Sequence, residues 1–161
     1  MIARLVRSAD FERVLRTRSR ASSVHFAVHH VADSPSAPAK LAKKVSPAKL
    51  STGESPDVIA SVDDSIATAP AAARLEALWL GAVVPKRHAK RSVTRTLLKR
   101  QIRSAVTDQA TALAGGLWVV RLRAPFDRSQ FVSAASDELK RVARTELQQL
   151  LTSAAQRVSG R

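Results

Sequence analysis

Residues 78–103 read LWLGAVVPKRHAKRSVTRTLLKRQIR, and this stretch decides the fold. Leu78 to Val84 is a nearly continuous apolar run stopped by Pro85. That is the pattern of a central strand covered on both sides, since proline cannot continue a hydrogen-bonded ladder. From Lys86 to Arg103 the chain then carries eight Lys or Arg in 18 positions and no acid. At about 100° per residue, Arg95, Lys99, Arg103 and Arg100 fill an arc of about 140°, with Leu97, Leu98, Ile102 and Ala105 opposite. The residues predict a strand followed by a helix that lays its apolar side on a sheet and turns a rail of cations outward.

A basic helix face is often only solvated surface. In such a helix, however, Glu and Lys usually alternate at i and i+4 and support one another. Here the like charges repel in the free protein, and a bound polyanion would relieve that repulsion. Arginine suits the role because its planar fork binds phosphate bidentately and stacks on bases.

Working outward, Ser8 is a candidate cap for a first helix, and Phe11, Val14 and Leu15 follow at helical spacing with Arg13 and Arg16 between them. Val24 to Val31 reads as a strand. Its alternation puts Val24, Phe26 and Val28 on one face and His25, Ala27 and His29 on the other, a face too polar for a sealed core and open to a ligand. Leu117 to Leu122, introduced by Gly115 and Gly116, is a third strand. Phe131, Ala135, Leu139, Val142 and Leu147 mark a last amphipathic helix, with Asp127 or Ser129 as its expected cap.

Between the first two strands the composition shifts. From Ala32 to Ala73, Ala, Ser, Pro and Thr make up 25 of 42 residues, and five of the seven prolines fall here. This reads as a disordered insert. Its four lysines, Lys40, Lys43, Lys44 and Lys49, are balanced by Asp33, Glu54, Asp57, Asp63 and Asp64. The positive charge therefore belongs to residues 1–31 and 74–161, which make one domain of ordinary size.

That charge is large: 27 Lys and Arg against 13 Asp and Glu, a formal +14 over 161 residues. Coulomb attraction and counterion release then favour a polyanionic partner, nucleic acid ahead of an acidic membrane. No run of about 18 apolar residues exists to span a bilayer. The opening MIARLVRSADFERVLRTR interrupts its hydrophobes with charge too often for a secretory signal, so a cytoplasmic location is expected. There is no cysteine, hence no disulfide and no thiolate nucleophile or zinc ligand.

No nucleophile motif or Gly-rich phosphate loop appears. Asp10, Glu12, Asp108, Asp127, Asp137, Glu138 and Glu146 are scattered, whereas a two-metal nuclease needs converging carboxylates. His25 and His29 would stand roughly 13 Å apart along a strand, too far to share a metal. The residues describe a protein that binds and positions a polyanion and predict no metal site of its own.

The run VVPKRHAKRSVTRTLLKRQIR resembles the signature of the bacterial ribonuclease P protein family, in which a strand leads into a basic loop and a helix opening Arg-Asn-x-x-Lys-Arg. Here that helix reads Arg95-Thr96-Leu97-Leu98-Lys99-Arg100, with Thr96 in place of the usual Asn. An early Arg-Leu pair, Asp10-Phe11, the Phe26-Ala27-Val28 strand, the Trp118-Val119-Val120 strand and a closing helix resemble the family too. The resemblance implies a two-layer α/β sandwich, a small central sheet with a left-handed β-α-β crossover, like the second domain of ribosomal protein S5. It implies a subunit of a tRNA-processing endoribonuclease whose catalytic centre, with its Mg2+, lies in an RNA subunit. No cofactor, membrane or small-molecule substrate is implied for the protein.

By the same resemblance, Lys86, Arg87, Lys90, Arg91, Arg95, Thr96, Lys99, Arg100 and Arg103 face the catalytic RNA. Phe11, Leu15 and His29 line a cleft for the single-stranded 5′ leader of precursor tRNA. Phe11 at its spacing also reads as a core residue, and Leu15 offers no ring for stacking a base. Two other classes fit the charge. A ribosome-associated or RNA-chaperone protein would use it without a processing role, and a DNA-binding helix-turn-helix would need a turn and recognition helix after Val106 that the sequence lacks.

Overall fold

The computed structural model describes residues 2–36, 77–133 and 135–160. In chain order these form β1 (Ile2–Arg4), α1 (Ser8–Arg16), β2 (Ala21–Ser22), β3 (Phe26–Val31), β4 (Leu78–Val83), α2 (Ser92–Asp108), β5 (Gly116–Leu122) and α3 (Asp137–Ser159). The expected strand of residues 78–84 and the cationic helix are β4 and α2.

Parallel neighbours require a crossover, because the chain must return the length of the sheet before it can pair again. β4 and β5 are such neighbours, in register from Leu78↔Gly116 to Val83↔Arg121. The crossover between them is α2, whose 17 residues at about 1.5 Å each cover about 25 Å. β3 pairs antiparallel with the other edge of β5, β2 continues antiparallel on β3, and β1 closes the far side parallel to β4. The sheet order is therefore β1-β4-β5-β3-β2.

Alternation along these strands sorts their side chains into two layers. Phe26 and Val28 of β3, Leu78 and Leu80 of β4, and Trp118, Val120 and Leu122 of β5 join the main core. From above, α2 adds Leu97, Leu98, Ile102, Ala105 and Val106, and α3 adds Leu139, Ala143, Leu147, Leu151 and Ala154. This is the expected α/β sandwich. The opposite sheet face is only partly covered: Leu117 and Val119 meet Leu5 and Val14, with Phe11 and Leu15 of α1 packed beside them. Gly81 makes that approach possible, since a Cβ there would run into the Phe11 ring. Gly116 opens β5 at φ 118, a left-handed conformation costly for any other residue.

Several boundaries differ from the sequence reading. β3 starts at Phe26, and the residues before it turn, with Phe26 N–H bonded to Ser23 Oγ; Val24 is 74% exposed. Ser8 lies inside α1 and Arg7 takes the N-cap position without a side-chain bond. α3 is capped by Ser136, whose side chain accepts from Leu139 N–H. Asp127, the expected cap, instead accepts from Ser129 N–H and Oγ in the preceding loop, and Ser129 is thereby spent in that turn. Phe131 consequently packs ahead of the helix rather than within it.

Of the low-complexity stretch, residues 32–36 are described; the disorder expected of the rest falls outside the described residues. Those first residues are tied to α1. Ser36 donates from N–H and Oγ to the buried Asp10, at 3.0 and 2.6 Å, and Arg13 bridges Asp33 and the carbonyl of Ser34. Among the described residues, no helix is long and apolar enough to cross a membrane.

Candidate nucleic-acid interface

The cationic face of α2 follows from its amphipathic sequence: once Leu98 and Ile102 are sealed against the sheet, Lys99, Arg100 and Arg103 must point to solvent, and all three are exposed. The loop ahead of the helix exposes Lys86, Arg87, Lys90 and Arg91 as well. Arg91 is the N-cap residue, makes no side-chain cap bond, and is followed by no acid in the first turn. The partial positive charge of the helix N-terminus thus adds to the loop cations. Among the described residues, no cation from Lys86 to Arg103 forms an ion pair.

Arg95 departs from the rail that the helical wheel assigns it. It is half-buried, and its Nη1 turns back to donate to the carbonyls of Ala89 (3.0 Å) and Lys90 (2.7 Å). A long side chain follows its hydrogen bonds, and these carbonyls lie within reach one turn below. Arg95 therefore fixes the loop that presents Lys86 to Lys90.

The rail and the loop ahead of it border separate concavities. Thr96, Lys99, Arg100 and Arg103 line a groove of about 320 Å³ with Phe11 and Leu80. It exists because β1 pairs with β4 only as far as Leu80, so the chain leaves the sheet edge there and crosses to α1. Phe11, expected on the leader side, and the helix cations, expected on the catalytic-RNA side, thus share one groove. Arg87, Lys90 and Arg91 line a different and larger cleft on the other side of the loop.

Leu15 and His29 do not line the Phe11 groove. Leu15 is half-buried beside the small core under α1. His29 is 9% exposed, and its Nδ1 lies 2.9 Å from the carbonyl of Thr17 at the end of α1. That contact engages one of its two ring nitrogens and ties β3 to the end of α1. His25 precedes β3 rather than sharing that face. Its N–H and Nδ1 meet Glu146 of α3 at 2.7 and 2.8 Å, and its ring stacks on Phe126 at 3.9 Å.

Sequence reasoning missed two buried polar residues. His30 is buried beside Trp118, with Nε2 3.0 Å from the carbonyl of Gly115. Burial pushes its imidazole below the usual histidine range, and Arg20 pushes the same way. The other is Asp10, where burial alone would raise the carboxyl; the hydrogen bonds from Ser36, with Arg13 and Arg7, outweigh it and hold the group below the carboxylate range. For Glu146 burial likewise works upward and is outweighed by bonds from Ser23 and His25. Among the described residues, no three His, Cys, Asp or Glu gather as a metal-binding group.

A family described as ribonuclease P matches residues 2–154 of the chain. A ribonuclease P protein component of Burkholderia pseudomallei is 40% identical over 82 residues, 51% of this chain and 60% of that protein. One from Ralstonia pickettii is 39% identical over 80 residues, covering 50% of this chain and 56% of that one. The aligned region therefore spans a little over half the length of these relatives. The ribonuclease P protein of Staphylococcus aureus has a similar fold, with a TM-score of 0.55 at 17% identity over 94% of both chains.

Proposed function

This chain belongs to the ribonuclease P protein family, and on that premise we propose that it is the protein subunit of ribonuclease P, the endoribonuclease that removes the 5′ leader of precursor tRNA. One observation carries the reading: an acid-free set of exposed cations on α2 shares a groove with Phe11 of α1. Lys99, Arg100 and Arg103 engage phosphates of the catalytic RNA, releasing its counterions, and Thr96 adds a hydroxyl where the family usually has an amide. Arg95 acts indirectly, by holding the loop that carries Lys86, Arg87 and Lys90. Phe11 offers its ring to the leader, with Leu15 on the same helix, and His29 of β3 is tied to the carbonyl of Thr17 at the end of α1.

The chemistry of phosphodiester cleavage belongs to the RNA partner, along with its magnesium. The described residues do not fit a catalytic metal centre. The protein's part is electrostatic: neutralising phosphates lets two polyanions, catalytic RNA and precursor tRNA, approach each other. The setting is cytoplasmic.

The test is 5′-leader cleavage of a precursor tRNA by bacterial ribonuclease P RNA at low magnesium, with and without the protein. Cleavage at the mature 5′ end that appears only with the protein is the expected result. No stimulation by a folded, RNA-binding protein would overturn the proposal.

A further inference from the structure

A concavity of about 830 Å³, larger than the Phe11 groove, lies between the basic loop of residues 86–91 and the segment Pro125–Ser133. The function proposed above uses its cations but not its floor. That floor is aromatic. Phe126 is stacked on His25, 3.9 Å apart with the planes 12° from parallel, and stands edge-on to Phe131 at 5.7 Å. A tilted contact with Phe26 at 5.9 Å roots the cluster in the core. Glu146 holds the His25 ring in this orientation through Nδ1, so the stack is set before any ligand arrives.

Around the floor stand Arg87, Lys90, Arg91 and Arg128. Arg91 reaches across to the carbonyl of Val132 at 3.5 Å, and Val132 itself leaves 78% of its surface exposed at the cleft wall. The acids nearby are engaged: Asp127 accepts two bonds from Ser129, and Glu146 is bonded to Ser23 and His25. A pre-ordered aromatic stack beside guanidinium groups meets both parts of a nucleotide. Bases stack on rings regardless of sequence, and arginine takes the phosphate. An acidic peptide would use the cations and leave the rings idle.

We propose that this cleft receives an unpaired nucleotide of the RNA bound along α2, its base extending the His25–Phe126 stack and its phosphate held by Arg87 and Arg91. The choice of RNA rests on the reading of α2 given above, because the loop that walls the cleft runs directly into that helix. Binding of single-stranded RNA at the cleft does not rest on it, so the two can fail separately.

Two exposed valines report the two concavities independently. Val6 lines the Phe11 groove and Val132 the cleft. Methyl NMR of the full chain, titrated with penta-adenylate, should shift Val132. Phe126→Leu should weaken the titration at Val132 roughly five- to 150-fold, the range for losing one base–aromatic stack. The Val6 signal serves as the internal check that this variant is folded. An unmoved Val132, or a titration indifferent to Phe126→Leu, would overturn the site. So would a hexaglutamate peptide that shifts Val132 as strongly as the oligonucleotide, since that marks a plain anion patch. A photoreactive benzoylphenylalanine in place of Val132, in the reconstituted holoenzyme, identifies the RNA. Crosslinks to the catalytic RNA are expected; crosslinks to the precursor leader alone would overturn the assignment of source.

Discussion

α2 and α3 lie side by side on one face of the sheet, yet they are built on opposite electrostatic plans. α3 begins with a Ser136 cap and two acids in its first turn, and ends with Arg157 in its last. Asp137–Lys140 and Glu138–Arg141 pair along its surface at i, i+3, and Arg144 reaches Asp108 of α2. α2 has no side-chain cap, no acid in its first turn and no ion pair along its cationic rail among the described residues. One helix satisfies itself; the other is left with mutual repulsion that a polyanion would remove. Shared packing with unlike surfaces separates what the fold needs from what a partner supplies.

The inward faces should behave alike, and there the effects are largest. Leu98 of α2 and Leu147 of α3 are both fully buried. Leu98→Ala and Leu147→Ala should each cost about 2–5 kcal/mol, by transfer and cavity terms. Urea unfolding measures both; a Leu98→Ala loss well under 1 kcal/mol would mean that α2 is not held by its core face.

The outward faces should behave differently. Lys99→Ala with Arg103→Ala should weaken binding to ribonuclease P RNA. It should also reduce the slope of log affinity against log salt by roughly 0.7 to 0.9 for each phosphate that is no longer neutralised. The same pair of changes at Arg141 and Arg144 of α3 should leave the slope unchanged. Filter binding across a salt series decides it, and equal slopes for both double variants would erase the distinction. Arg95 is excluded from this pair because its bonds to Ala89 and Lys90 make Arg95→Ala a test of loop order as well as charge.

Caps give a smaller contrast. Ser136→Ala should destabilise by about 1 kcal/mol, whereas Arg91→Asp should stabilise by up to about 1 kcal/mol through a new cap on α2. The second change should at the same time weaken RNA binding. A gain in thermal midpoint with loss of affinity is the expected signature; RNA binding unchanged in Arg91→Asp would remove the N-terminus of α2 from the interface.

Much of this was legible in residues 78–103, since burial on both faces of β4 and the two-sided character of α2 are written as composition and period. β1 and β2 were not, because runs of 3 and 2 residues show no alternation. The cap of α3 was obscured by neighbours of similar chemistry: Asp127, Ser129 and Ser136 all offer an oxygen, and only the packing of Phe131 ahead of the helix selects the last. A wheel places Cβ atoms rather than guanidinium groups, so Arg95 read as surface. The bond from His29 to the carbonyl of Thr17, twelve positions earlier, was not legible because it joins residues that only the packing of α1 on the sheet brings together.

The smallest expected effect is one of pH. Glu146 ties α3 to the turn before β3 through Ser23 and His25. Its carboxyl is held below the ordinary 4.5 by those bonds, against the upward pull of burial. A carboxyl with a lowered folded pKa binds its proton first in the unfolded chain, so its stabilising contribution is full above pH 4.5 and is lost as pH falls through the folded value. Glu146→Gln should therefore flatten part of the loss of stability on acidification below pH 4.5. Only part should go, because Asp10 is lowered in the same direction. Denaturant midpoints from pH 7 down to about 3 measure the slope. An unchanged slope in Glu146→Gln would mean that α3 is held to β3 by Leu147 and its apolar neighbours alone. That would bring α3 closer to α2, whose sheet-facing side carries no acid at all.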